Sequence, residues 1–306
     1  MIKLDFDNID TLKEMHFKAV KSYVKEVMND GSRTDFYRHV IALQGIEGYP
    51  QDFPQDDERC EWLREFLLAS LSTLADWANN NKDILRFDQM KELYLSSFSN
   101  GIGNFVDKGG TYNAYTLIDA MGIKVCPYCE HEFLDIMEID GKMKRTLEFD
   151  HFYPKGKDEY PGLAMCFYNL VPSCKPCNQI KKTNPVAANP YDPRIESLTW
   201  LYPDLEIGVN METVKVDDCG ILFHEKDGMK LNVKNLALET RYNHLKPEVH
   251  QLLSKKQKYS QEKLEELERM GYGTIEELEK EYFGNPRSVA KGKELHTKMK
   301  EDLIGW

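Results

Sequence analysis

Four of the seven cysteines fall into two Cys-x2-Cys pairs. The first pair is Cys126 and Cys129, the second is Cys174 and Cys177, and 44 residues lie between the pairs. Two such pairs supply four thiolates, a ligand set that Zn²⁺ prefers in tetrahedral geometry. One pair alone also fits a redox site, but two pairs that flank a charged segment favour zinc. Because cysteine takes all four positions, no coordination position is left for catalysis and the metal is expected to be structural.

The segment between the pairs contains an adjacent acid and imidazole, Asp150 and His151, in LEFDHFYPK at residues 147–155. A carboxylate holds a hard divalent cation through oxygen, and an imidazole takes a proton from water. Neighbouring side chains on a regular strand point to opposite faces, so directing both at one substrate requires a bend. Pro154 and Gly156 are consistent with a bend. For an isolated Asp-His pair, a structural turn is the simpler interpretation.

The second cysteine pair leads into a sequence that predicts the start of a helix. Asn178 follows Cys177 directly, so a zinc site would fix its position, and its amide oxygen suits a hard cation. Lys181 and Lys182 follow within one turn, where their ammonium groups could meet phosphates.

The charge distribution places a basic island in an acidic protein. The chain carries 40 basic and 51 acidic residues, a net charge of −11, which excludes a histone-like protein that coats nucleic acid by bulk charge. Residues 142–185 nevertheless carry eight basic and four acidic residues. A local nucleic-acid site in this segment is therefore compatible with the composition, although the whole chain is expected to bind long DNA weakly by itself.

The order of these features resembles the HNH nuclease family, the zinc-supported form of the ββα-metal fold. The resemblance covers about residues 126–182 and includes Asn169-Leu170 between the Asp-His pair and the second cysteine pair. It implies that Asp150 and Asn178 hold one catalytic Mg²⁺ or Mn²⁺ and that His151 is the general base. It also implies that Asn169 orients the catalytic loop and that the four paired cysteines bind structural zinc. The family has either His or Asn at the third motif position, and the oxygen ligand of Asn178 favours Mg²⁺ over softer ions.

The phrase DHFYPKG…YNLVPSCKPCN is similar to the HNH subunits of bacterial anti-phage systems of the Septu type, which act beside a separate ATPase. This resemblance implies an endonuclease that hydrolyses phosphodiester bonds in anti-phage defence with a partner ATPase. We expect Lys155, Lys181 and Lys182 to contact the nucleic acid, with DNA preferred to RNA. RNA, including structured RNA such as tRNA, stays possible as a substrate, and the strandedness and sequence of the substrate also stay open. The alternative function is a zinc-dependent module that binds nucleic acid or protein without cutting it.

The flanking segments predict the scaffold that positions these residues. Apolar residues recur at helical spacing in three N-terminal segments, and the C-terminal part reads as helical with a break at two glycines. A hairpin with Asp140-Gly141 at its turn is expected within residues 131–149. Short strands are expected at VKV and ILFH, within residues 205–232. The predicted helical segments are residues 9–29, 57–78, 83–99 and 235 to the end, with the break at Gly271 and Gly273.

Together these elements predict a mainly helical α+β protein with a central ββα-metal unit pinned by the Zn(Cys)4 site. The expected regions are a helical part at 1–110, the nuclease core at 111–195, and short strands followed by helices at 196–306. No apolar stretch approaches the roughly 18 residues of a membrane span, and the N-terminus lacks the pattern of a secretory signal. We therefore expect a cytoplasmic protein with no membrane partner. The helical regions before residue 110 and after residue 235 would contact either a partner protein or a second copy of the chain.

Overall fold

The structure is a computed structural model that describes residues 1–45, 52–54, 56–99, 112–156, 158–284 and 292–305. The chain divides into two units, which are described separately. The first unit comprises Asp5–Ile123 and Leu134–Pro185, and the second comprises Met1–Leu4, Lys124–Phe133 and Val186–Trp306. The predicted boundary between residues 110 and 111 lies outside the described residues.

The first unit consists mostly of helices and carries two antiparallel pairs of strands. Its α-helices are α1 (Ile9–Ser22), α2 (Asp30–Gln44), α3 (Glu61–Leu67), α4 (Leu71–Asn80), α5 (Gln89–Leu93), α6 (Ala114–Met121) and α7 (Lys175–Lys181). Its strands are β1 (Ile136–Ile139), β2 (Lys142–Arg145), β3 (Leu147–His151) and β4 (Leu170–Cys174). Short 3-10 or π-helical turns lie at Tyr23–Val27, Ile84–Arg86, Tyr94–Phe98, Pro161–Met165 and Phe167–Asn169.

The capping residues divide the N-terminal helices more finely than the apolar pattern predicts. The Asn29 side chain accepts a hydrogen bond from the Ser32 N–H at 2.9 Å and starts a further helix, α2, directly after the predicted segment 9–29. The Ser70 hydroxyl likewise accepts from the Thr73 N–H at 3.1 Å and starts α4. The single helix predicted for residues 57–78 is therefore wrong, and two helices stand in its place.

Aromatic rings form the core that supports the strands of the first unit. The ring centroid of Phe36 lies 5.9 Å from that of Trp62 and 5.9 Å from that of Phe66. Both contacts are edge-to-face, an arrangement that stabilises pairs of aromatic rings. Phe98 contacts Phe149 of β3 with a centroid distance of 5.8 Å. The helical scaffold therefore contacts β3, the strand that ends in the Asp-His pair.

His16 lies in this core with no exposed surface. Its Nδ1 atom lies 2.7 Å from the Tyr112 hydroxyl, and its Nε2 atom lies 2.7 Å from the Met165 carbonyl oxygen. Burial lowers the pKa of His16 from 6.5 to about 4, although the hydrogen bond to Met165 opposes this shift. The imidazole is therefore neutral in the folded protein at neutral pH.

The free energy of unfolding should consequently fall as the pH decreases from about 6.5 to about 4, because the unfolded chain then binds a proton that the folded chain excludes. Between pH 7.5 and 5.0 this single group is expected to lower stability by about 2 kcal/mol. The His16→Gln variant has no imidazole at this position. Its free energy of unfolding, measured in urea, should therefore fall by about 2 kcal/mol less than that of the parent between pH 7.5 and 5.0. The control is His244→Gln, at an exposed position. Its free energy of unfolding should fall between pH 7.5 and 5.0 by as much as that of the parent. An equal loss in the parent and in His16→Gln would contradict the assignment.

Among its described residues, the second unit contains one antiparallel pair of strands, β5 (Thr199–Pro203) and β6 (Ile221–Glu225), with Leu201 opposite Phe223. The predicted strand ILFH lies in β6 and is confirmed, whereas VKV runs into a 3-10 turn at Val216–Asp218 and is not a strand. The α-helices are α8 (Met229–Asn235), α9 (Leu238–Tyr242), α10 (Lys246–Lys258), α11 (Gln261–Arg269), α12 (Ile275–Phe283) and α13 (Thr297–Ile304). Further 3-10 turns lie at Ile195–Ser197 and Asn243–Leu245.

The fold is mainly helical with small two-stranded sheets, as the sequence predicts. The break at Gly271 and Gly273 falls between α11 and α12, and the hairpin with Asp140-Gly141 at its turn is formed by β1 and β2. Among the described residues, every helix is too short or too polar to traverse a lipid bilayer.

Candidate active site and metal centre

The four paired cysteines form a buried cluster in which all Sγ atoms lie within 4.8 Å of one another. Zn–S bonds of about 2.3 Å in a tetrahedron place the sulfurs roughly 3.8 Å apart, so the cluster fits a single zinc ion. The Cys177 N–H points to Cys174 Sγ at 3.4 Å, and the His131 N–H points to Cys129 Sγ at 3.4 Å. Such N–H groups stabilise thiolate charge. This set can hold a metal ion such as zinc, in agreement with the predicted ligands.

The Asp-His pair and the second cysteine pair are brought together by two strands and a helix. Strands β3 and β4 are antiparallel, with Asp150 opposite Val171 and His151 opposite Leu170, and α7 packs against both strands. The chain turns from β4 into α7 at Cys174, whose Sγ atom caps the helix, and a proline occupies the first turn. A proline is tolerated there because the first N–H groups of a helix have no intrahelical partner.

His151 is 4% exposed and is held on three sides. Its Nε2 atom lies 3.1 Å from the Ala164 carbonyl oxygen, which only accepts hydrogen bonds, so Nε2 carries the proton and Nδ1 carries the lone pair. The Lys155 Nζ atom lies 3.3 Å from Nδ1. The Tyr94 ring packs against the imidazole, with centroids 4.5 Å apart and planes at 80°.

The surroundings of His151 keep its imidazole neutral. Burial is the main cause that lowers the pKa of His151 well below its usual value, and the positive charge of Lys155 adds to this effect. Burial also lowers the pKa of Lys155, against the opposing attraction of the Asp150 and Glu148 carboxylates. The neutral imidazole carries its lone pair on Nδ1, which is the atom at which a general base would take up a proton.

Asp150 forms a buried ion pair that the sequence analysis does not predict. The Lys181 Nζ atom donates to Asp150 Oδ1 at 3.0 Å and to the His151 carbonyl oxygen at 2.9 Å. The Lys181 side chain has no exposed surface. The prediction that Lys181 contacts nucleic acid therefore conflicts with its position in the interior. Lys182 is exposed and Lys155 is half-buried, so their predicted contacts remain predictions.

Replacement of Lys181 by methionine should lower the free energy of unfolding by about 3–5 kcal/mol, because it removes the ammonium group that donates to the buried Asp150 carboxylate. The neighbouring Lys182→Met variant has the same change of side chain at an exposed position and should differ from the parent by about 0.5 kcal/mol or less. Urea unfolding of both variants, with zinc present and no added magnesium, measures the difference. Equal stability of the two variants would contradict the buried ion pair.

Asn178 is oriented by a residue that the sequence analysis does not identify, Glu148. The Asn178 Nδ2 atom donates to Glu148 Oε2 at 2.6 Å. Because an ionised carboxylate only accepts hydrogen bonds, this contact determines which end of the amide is nitrogen. Glu148 precedes Asp150 by two positions on β3 and so lies on the same face of the strand. That two-residue period is the signal in the sequence that could have identified Glu148.

Asn169 is fully buried and joins two parts of the loop between β3 and β4. Its Oδ1 atom accepts from the Tyr153 N–H at 2.6 Å, and its Nδ2 atom donates to the Tyr153 carbonyl at 3.2 Å and the Leu163 carbonyl at 2.8 Å. Leu163 adjoins Ala164, whose carbonyl orients His151. The contacts of Asn169 are therefore of the kind that its predicted role in orienting the loop requires.

Oxygen donors for a divalent cation are present in the same unit. The carboxylate of Asp150 and the amide oxygen of Asn178 are hard ligands of the type that Mg²⁺ or Mn²⁺ binds. In the described ranges, the cysteine cluster is the only group of three or more His, Cys, Asp or Glu side chains close enough to enclose an ion. Mg²⁺ commonly uses one or two protein ligands together with waters and substrate phosphates, so a pair of donors fits it.

Comparison with known proteins gives one partial likeness. Over 76 residues the chain is 38% identical to Septu protein PtuB of Bacillus thuringiensis. The aligned stretch is 25% of this chain and 26% of PtuB, so the likeness spans about a quarter of either protein. No family model and no solved structure matches the chain.

Proposed function

We propose that the protein is a metal-dependent endonuclease of the HNH type, which hydrolyses phosphodiester bonds of nucleic acid. The observation that carries the proposal is the setting of His151: a buried, neutral imidazole with Nε2 held by the Ala164 carbonyl. It lies next to Asp150 at the end of β3, against β4 and α7. A general base needs an unprotonated imidazole that is held in one tautomer beside the reacting groups.

In the proposed reaction, His151 accepts a proton from water at Nδ1. The water oxygen forms a bond to phosphorus, and the bond from phosphorus to the 3′ oxygen breaks. The 3′ oxygen takes a proton from solvent water, which leaves a 5′ phosphate and a 3′ hydroxyl, and His151 afterwards returns its proton to solvent. In the absence of substrate, the Lys155 Nζ atom lies 3.3 Å from His151 Nδ1. Its ammonium group would pair with the phosphate of the substrate and leave Nδ1 to the water. Lys155 thus acts in the proposal as the predicted contact to nucleic acid.

Asp150 and Asn178 would hold the catalytic cation, which would neutralise charge that develops on the phosphate and on the leaving oxygen. Lys181 would keep the Asp150 carboxylate in place through Oδ1, and Glu148 would keep the amide of Asn178 in place through Nδ2. Asn169 would maintain the loop that carries the Ala164 carbonyl. The chain therefore contains a supporting contact for each of the three residues assigned to the chemistry.

The likeness to Septu protein PtuB supports a role in anti-phage defence. We propose that the protein acts in such a system beside a partner ATPase, which would deliver the substrate to a nuclease whose own net charge is −11.

A cleavage assay on the purified full chain tests the proposal. Supercoiled plasmid, single-stranded DNA and tRNA are each incubated with zinc-loaded protein and Mg²⁺, Mn²⁺ or no added divalent cation. We expect cutting that requires Mg²⁺ or Mn²⁺, with 5′ phosphates on the products. Binding of these substrates without cutting, both alone and with the partner that co-purifies from the native host, would favour the non-cleaving module.

A further inference from the structure

The hairpin of β1 and β2 exposes both faces to solvent. All eight residues from 137 to 144 are exposed, including Met137 at 38% and Ile139 at 48%. Asp140 and Gly141 form a tight turn with φ values of 52° and 70°, which matches the twist of the strands. A two-stranded ribbon with apolar side chains in water is only marginally stable alone, so these residues are suited to contact with another molecule.

One face of the hairpin combines apolar and positive side chains. Met137 is opposite Lys144 and Ile139 is opposite Lys142, and residues opposite each other in an antiparallel pair share a face. These four strand positions carry two positive charges and no carboxylate. Glu138 lies on the other face, opposite Met143. The first face therefore complements a polyanion that also presents apolar groups.

The base of the hairpin is fixed to the first unit. The Arg145 Nη2 atom donates to the Ser99 carbonyl at 2.6 Å, and the guanidinium lies 4.8 Å from the centre of the Tyr115 ring. The Asp135 N–H donates to Thr146 Oγ1 at 2.9 Å. A fixed base means that a molecule bound at the hairpin has a defined position with respect to β3, which begins two residues after β2 ends.

We propose that the β1–β2 hairpin binds the major groove of double-stranded DNA, with Lys142 and Lys144 on the phosphates and with Met137 and Ile139 toward the bases. The proposal rests on the nuclease function and names its substrate class. Lys144 precedes Asp150 by six residues and Lys142 by eight, so the chain between them and the candidate site spans at most about 22 Å and 29 Å. These lengths correspond to about six to eight base pairs of B-form DNA.

The shape of the hairpin favours DNA over RNA duplexes. The major groove of B-form DNA is about 12 Å wide and admits a two-stranded ribbon, and the thymine methyl group offers an apolar contact there. The major groove of A-form RNA is deep and too narrow for side chains to read. The hairpin therefore distinguishes the two substrates that the sequence alone leaves open.

Fluorescence anisotropy with a 24-base-pair DNA duplex and an RNA duplex of the same sequence tests the inference. The full chain carries His151→Ala throughout, so binding is measured without cutting. Lys142→Ala/Lys144→Ala should weaken DNA binding by between about tenfold and 100-fold at 0.1 M salt and should make the slope of log K against log salt less negative by about 2. Binding to the RNA duplex should change much less.

The matched control is Lys230→Ala/Lys234→Ala, which changes the net charge equally at exposed positions of α8 and should alter DNA affinity less than twofold. Zinc content and the unfolding midpoint establish that each variant is folded. A hairpin variant with the affinity and salt slope of the parent would overturn the inference. Parental DNA binding of that variant, together with a change in apparent mass for Met137→Ser/Ile139→Ser, would assign the face to a second copy of the chain instead.

The two proposals fail separately. If the parent with His151 cuts DNA and the lysine variant binds as the parent does, the hairpin inference is wrong and the nuclease stands. If the lysine variant loses DNA binding and the parent cuts nothing, either alone or with the partner that co-purifies from the native host, the hairpin binds DNA and the nuclease is wrong.

Discussion

Replacement of His151 by alanine is expected to lower the cleavage rate roughly 10²–10⁴-fold, the usual contribution of a general base. The loss should appear in kcat, because the imidazole acts on the water and the affinity for nucleic acid comes from other groups. Single-turnover cleavage of a labelled DNA duplex with saturating protein and Mg²⁺ measures this step directly. The imidazole is neutral in the resting protein, so its removal should leave the electrostatics of substrate binding almost unchanged.

The control for this variant is His244→Ala, an exposed histidine in the second unit that should cut at the parental rate. A zinc equivalent per chain and an unchanged circular dichroism spectrum separate a chemical defect from misfolding. The Ala164 carbonyl and Lys155 both contact the imidazole in the parent, so a second variant, His151→Gln, retains a polar group at the site. If both variants cut as fast as the parent, another group is the base and the proposed mechanism is wrong.

The sequence could predict the cluster of four cysteines and the helical character because both depend on local spacing. Two residues between cysteines place two thiolates on one ion wherever the pair lies in the fold. The helix break at Ser70 was missed because a capping residue inside an apolar pattern resembles any other polar residue.

Contacts made through tertiary structure could not be predicted in the same way. Lys181 and Lys182 are adjacent in a basic run, and only the packing of α7 on β3 decides that Lys181 is buried against Asp150 while Lys182 faces solvent. The carbonyl of Ala164 orients His151 through its backbone, so the residue type carries no signal. Glu148 is different, since its position two residues before Asp150 placed it on the same strand face.

Removal of one cysteine ligand should have the second large effect, on the fold itself. Cys174 is in the metal cluster, and its Sγ atom also accepts from the Cys177 N–H at the start of α7, the helix that carries Asn178 and Lys181. The free energy of binding structural zinc is about 10 kcal/mol or more in small zinc domains, as large as the total stability of many proteins. Cys174→Ala should therefore lose the zinc equivalent and the cooperative urea transition.

A matched variant separates the loss of metal from the loss of a buried thiol. Cys219 is also fully buried but is not part of the cluster, so Cys219→Ala should keep one zinc per chain and unfold cooperatively, with a loss of only about 1–2 kcal/mol. Zinc is counted by atomic emission after gel filtration, and unfolding is followed by circular dichroism. Chelation of zinc from the parent should reproduce the Cys174→Ala spectrum, because both treatments remove the same cross-link between the two cysteine pairs. A Cys174→Ala protein that retains zinc and the parental transition would show that the four thiolates do not form the structural site.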